Sequence, residues 1–84
     1  MASTIIKYRG PLRELTQVDE EVLSVNAVRD VMKHIKSRYG PEAHNKAKSM
    51  LIVIDGESML LRKGFATKLK AGETIQFLPI CGGG

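Results

Sequence analysis

Tryptophan is absent from the 84 residues, and aromatic bulk comes only from Tyr8, Tyr39, Phe65 and Phe77. Any core must therefore be built from Ile, Leu, Val and Met. The single cysteine, Cys81, excludes an internal disulfide framework and a cysteine-based zinc site, and makes a reducing cytoplasm the default setting. His34 and His44 lie ten positions apart without ligand spacing, so no metal is expected. No apolar run approaches the roughly 20 residues that cross a bilayer. The longest, Met50 to Ile54, has the length of a strand. Met1 to Lys7 has neither an apolar stretch of signal-peptide length nor a cleavage site, so no membrane association is expected.

What is present describes one small domain. Lys and Arg number 13 against 9 Asp and Glu, a net charge of +4, and 43% of the residues are hydrophobic. That balance is near the globular average and unlike a disordered tail. A chain of this length has little surface to spare for a deep cleft, which argues against a self-sufficient enzyme. The positive charge raises the question of nucleic acid. No aromatics interleave with the basic residues, however, and no RNA-recognition or helix-turn-helix signature appears. A solvated basic face that steers association with an acidic protein fits better.

Thr4 to Arg9 is β-branched and aromatic and stops at Gly10-Pro11, which predicts a strand with Ile6 and Tyr8 on one face. Pro11 to Leu15 is long enough for one helical turn with Leu12 and Leu15 tucked under. Glu20 to Val25 is a second strand candidate. The clearest helix begins after Asn26, the predicted N-cap, with Val28, Val31, Met32, Ile35 and Tyr39 recurring on one face. Gly40 and Pro41 end it. Glu42 to Ser49 is polar and reads as a loop or a short exposed helical turn. Met50 to Ile54 predicts a strand buried on both faces, and Asp55-Gly56 a hairpin turn. Ser58 to Arg62 would return as a short strand. Thr74 to Leu78 is the last strand, with Ile75 and Phe77 on one face and Gln76 and Leu78 on the other. The sum is a two-layer α+β domain spanning 1–80, a mixed sheet of four or five strands covered by one main helix.

Pro79 cannot donate to a ladder and closes the last strand. Beyond Ile80 the sequence reads Cys81-Gly82-Gly83-Gly84, a segment without side chains to pack, which predicts a flexible tail over 81–84. A frayed terminus is the plain reading of such a tail. The chemical one is that a carboxylate, a poor electrophile, must be drawn into a narrow site beside ATP to be activated. Only a chain without side chains fits such a tunnel. Leu78, on the outer face just before the tail, could form with Ile80 a docking patch that guides it. Cys81 is either a partner in a mixed disulfide or an incidental small residue, since nothing nearby lowers its pKa.

A strand followed by Pro11-Leu12-Arg13-Glu14-Leu15, then Lys70-Ala71-Gly72-Glu73 leading through Phe77-Leu78-Pro79 to Gly83-Gly84, resembles the MoaD/ThiS family of ubiquitin-like sulfur carriers. The resemblance spans essentially the whole chain, and its length and Leu-Arg-Glu-Leu segment are similar to the MoaD branch, the small subunit of molybdopterin synthase. Ile80 stands where the family usually has a second proline. The resemblance implies a β-grasp fold and a carrier that binds no cofactor itself. A ubiquitin-activating type of adenylating enzyme would use ATP to convert the Gly84 carboxylate to an acyl-adenylate, and a sulfur donor would convert that to a thiocarboxylate. It implies Leu78, Pro79, Ile80, Cys81, Gly82 and Gly83 as the partner-binding segment, and the large subunit of molybdopterin synthase as the partner that supplies catalysis. Related carriers serve thiamine, amino-acid and tRNA thiolation or are attached to lysines, and the tail does not separate them.

Overall fold

The computed structural model describes residues 3–79. Strand β1, Ser3–Tyr8, pairs antiparallel with β2, Glu20–Ser24, on one side and parallel with β5, Thr74–Leu78, on the other. Strand β3, Leu51–Ile54, lies antiparallel to β5 and carries the two-residue β4, Glu57–Ser58, at the edge. The sheet order is β2-β1-β5-β3-β4, so the first and last strands sit side by side at its centre. Three helices lie between them in the chain: α1, Gly10–Thr16; α2, Val28–Tyr39; and α3, Pro41–Lys48. This is the β-grasp arrangement expected from the sequence.

The period-two alternation of each strand sorts the sheet into two faces. Ile6 and Tyr8, Ile75 and Phe77, and Ile52 and Ile54 point to the helices and form the core with Leu12, Val31 and Ile35. Ile5, Gln76 and Leu78 point the other way. Ile52, Val53 and Ile54 are all buried, as expected of a strand covered on both faces, but the strand begins at Leu51, not Met50, and Leu51 is exposed. The hairpin turn falls at Asp55-Gly56, both with positive φ (49° and 84°), and Asp55 ties it to β5 by accepting from the Thr74 N–H at 2.8 Å.

Four local expectations are corrected. Residues 42–48 are neither a loop nor an isolated exposed turn but most of α3: Pro41 ends α2 as expected and also opens this second helix, and Ala43 and Ala47, one turn apart, let α3 approach the core closely. The return strand from Ser58 ends at once. The Ser58 hydroxyl accepts from the Leu60 N–H at 3.2 Å and starts a 3-10 turn over Met59–Leu61, followed by another over Gly64–Ala66. Asn26 is not the N-cap of α2. Ala27 occupies that position, and Asp30 reaches back to accept from the N–H groups of Asn26 (3.2 Å) and Ala27 (3.1 Å). The segment expected to make one turn after Pro11 makes the two-turn α1, with Leu12 fully buried and Leu15 partly so.

Candidate functional site

Of the proposed site residues, Leu78 and Pro79 are described. Ile80, Cys81, Gly82, Gly83 and Gly84 lie outside the described residues, so the site is the platform from which they depart. That platform is the end of β5 at the centre of the sheet. Leu78 is half-buried on the open face, and the register places Leu51 of β3 directly beside it. Leu51 is 37% exposed, so the two leucines form an apolar pair at the point where the chain leaves the sheet. Gln76, two residues earlier on the same face, sits between Lys7 of β1 and Val53 of β3.

Pro79 is set by the turn after β1. Gly10 has φ +55°, and a Cβ there would meet the Pro79 ring at 3.3 Å. Only glycine suits both the left-handed backbone and the close approach. Gly10 also opens α1, whose Leu12 is anchored in the core. Gly10, the residue that opens the helix carrying Leu12-Arg13-Glu14-Leu15, thus lies against the first residue after the last strand.

Behind the platform, Phe77 stacks on Tyr8 with ring centroids 6.0 Å apart, and Tyr8 meets the edge of Tyr39 at 5.9 Å. Both phenols donate to one carboxylate, Glu21 on β2: Tyr8 to Oε2, and Tyr39 to the same oxygen at 2.8 Å. His34 Nε2 lies 3.3 Å from the other oxygen. Burial works against ionisation of Glu21, but the two phenol hydrogen bonds and the nearby His34 outweigh it and hold the carboxyl below its usual range. Burial, reinforced by the Glu21 charge, raises Tyr8 far above the ordinary phenol value and pushes Tyr39 up to about 12. This hub joins β1, the edge strand β2 and α2. A partly exposed charge on an edge strand looks solvated in the sequence, so neither it nor the Leu51 and Gly10 contacts was foreseen.

Chemically, the platform can bind and present. Among the described residues no group of three or more His, Cys, Asp or Glu is placed to hold a metal, and no helix is long and apolar enough to cross a membrane. The Glu21 hub spends its groups on one another and lies beneath the sheet, away from the open face.

The ThiS family model matches residues 6–84. Among solved structures, small archaeal modifier protein 1 from Methanosarcina acetivorans superposes with a TM-score of 0.85 at 27% identity, over 100% of this chain and 98% of that one. A putative molybdopterin converting factor subunit 1 from Pyrococcus furiosus gives 0.70 at 24% identity, over 94% and 98%. A chain in the complex of subunits 1 and 2 of molybdopterin-converting factor from Helicobacter pylori gives 0.70 at 18%, over 96% and 99%. The last two likenesses are of fold. No curated protein matches this chain closely.

Proposed function

The chain belongs to the ThiS family of ubiquitin-like carriers and modifiers, and from that premise we propose that it carries sulfur on Gly84. The observation that carries the reading is the family match running through Gly84, on a fold whose central strand leads straight into that segment. In this reading an adenylating enzyme binds the platform through Leu78, Leu51 and Pro79 and threads Ile80, Cys81, Gly82 and Gly83 toward its ATP. A Gly84 carboxylate oxygen attacks the α-phosphorus and pyrophosphate leaves. A sulfur donor then displaces AMP from the acyl carbon and leaves a thiocarboxylate. The chain supplies the carried group and its presentation; the partners supply the catalysis, in the cytoplasm. Ionised at neutral pH, the thiocarboxylate is a nucleophile that a synthase can direct at its substrate.

For the synthase partner that receives the tail we favour the large subunit of molybdopterin synthase, on the Leu12-Arg13-Glu14-Leu15 segment and the Phe77-Leu78-Pro79 strand end, and on neighbours named as converting-factor subunits. A second reading has its own support: a relative at 27% identity over the whole chain is named as a protein modifier, which points to attachment through Gly84 to lysines.

Intact-mass measurement after incubation with the activating enzyme, ATP and a sulfur donor tests the carrier reading. The expected product has one oxygen of Gly84 replaced by sulfur, and removal of Gly84 abolishes it. Sulfur incorporation that survives this removal sinks the reading. Lysine-linked adducts in cells without any thiocarboxylate favour the modifier. Leu78→Asp is expected to leave the fold intact and weaken binding to the activating enzyme; unchanged binding removes the docking role.

A further inference from the structure

The net charge is not spread over the surface. Residues 28–48 hold six of the 13 cations and two of the nine acids, and the rest of the chain holds seven of each. Helices α2 and α3 therefore carry a local charge of +4, equal to the net charge of the chain. Among the described residues none of these six cations makes an ion pair with an acid of the chain. Of the two acids, Asp30 is turned back onto the helix start. The field is felt at His44, whose pKa is lowered by burial and then by Lys48 and Lys36.

This basic surface borders an apolar groove. A pocket of about 170 Å³ lies between Arg29, Met32, His44, Lys48 and Phe65. A second, of about 260 Å³, is lined by Met50, Leu51, Met59 and Leu60, again with Lys48 and Phe65. The shared Phe65 and Lys48 join the two into one groove, basic at the α2 end and apolar at the β3 end. Leu60 and Leu61 beside it are about three-quarters exposed, which a core has no use for. At its apolar end the groove reaches Leu51, the neighbour of Leu78 at the sheet exit.

We propose that this groove is a docking site, separate from the glycine segment, for an acidic segment of a partner protein that carries an aliphatic side chain next to its carboxylates. The carboxylates lie against Arg29 and Lys48, where no internal acid must be displaced. The aliphatic side chain fills the pocket over Met50 and Met59 and covers Leu60. A nucleic acid would satisfy the cations alone. It would leave the two leucines in water and find a single aromatic, Phe65, on which to stack.

The test is an amide-shift titration of the 15N-labelled full chain with a short synthetic peptide in which Glu alternates with Leu. The expected result is saturable shifts at Arg29, Met32, Lys48, Phe65 and their neighbours, weakened by added salt. The double variant R29E/K48E, both exposed positions, is expected to lose about tenfold in affinity. Leu60→Ser should also weaken binding, and removal of 81–84 should not, which separates this site from the tail chemistry. Absent or non-saturable shifts overturn the proposal, as does equal binding of the peptide with Gln in place of Glu. Displacement of the peptide by oligouridylate at lower concentration overturns the choice of a protein occupant. Should R29E/K48E fail to fold, the salt dependence and the Gln peptide on the native chain decide the matter.

Discussion

Replacing Glu21 by alanine removes the one acceptor shared by Tyr8, Tyr39 and His34. Tyr8 is fully buried, so its hydroxyl is left without a partner, at a cost of about 1–3 kcal/mol. The Tyr39 and His34 contacts are partly open to water and add at most about 1 kcal/mol together. A loss near 2 kcal/mol is large against the roughly 4–13 kcal/mol that a chain of this length commands. It should lower the urea midpoint by about 1–2 M at an unchanged slope and Tm by about 8–16 °C. Glu21→Gln keeps an acceptor for the phenols and should cost less. In a Tyr8→Phe background the stranded hydroxyl is gone, so Glu21→Ala should cost at least about 1 kcal/mol less than in the native chain. Equal cost in both backgrounds, or a midpoint that does not move, would refute the reasoning. The same carboxyl predicts a pH dependence. Its folded pKa lies below the unfolded value of 4.5, so at intermediate pH the unfolded chain binds more protons. The stabilisation is complete above about pH 4.5 and fades as pH falls through the folded value. Acid unfolding of Glu21→Gln should be correspondingly less steep.

Alkali probes the hub from the other side. The chain has two tyrosines and both belong to the hub, so phenolate absorbance reads it without background. Above about pH 10 the unfolded phenols ionise while the folded ones stay neutral, and stability falls as pH rises. Phenolate should appear late and together with unfolding, and a reversible titration of both groups near pH 10 in the folded chain contradicts the hub. Gly10→Ala places a Cβ at φ +55°, 3.3 Å from the Pro79 ring. It should cost about 1–2 kcal/mol in denaturant unfolding and shift the Pro79 resonances; an unaltered Pro79 argues against the contact. Ala47→Leu overpacks a fully buried position of α3 and should cost about 1–3 kcal/mol, measured by thermal unfolding.

How much of this could be read in advance depends on the range of the interactions. The apolar recurrence of Val28, Val31, Met32 and Ile35 is local and strong, and α2 was legible from it. Helix α3 shows only Ala43 and Ala47, too little apolar bulk to stand out, and a proline whose role depends on which side of it the chain is read. The end of β4 turned on one hydroxyl, that of Ser58, accepting a backbone hydrogen where a ladder partner was expected. At the site, alternation alone put Leu78 on the open face. Its neighbour Leu51 required the β3–β5 register, and the hub required β1, β2 and α2 to be in place together.

The parallel pairing of β1 with β5 governs when the molecule can do anything at all. Ile6 meets Ile75, and Tyr8 meets Phe77, across sixty-nine positions of sequence. Such long-range closure is slow, because the loop must be closed before the contacts that reward it exist. During synthesis β1, α1 and α2 emerge with the middle of their sheet missing, and Leu78 and Pro79 reach their seats against Leu51 and Gly10 only when β5 slots in. A partner that reads this platform therefore reads completed folding, and a half-made chain offers it nothing to grip.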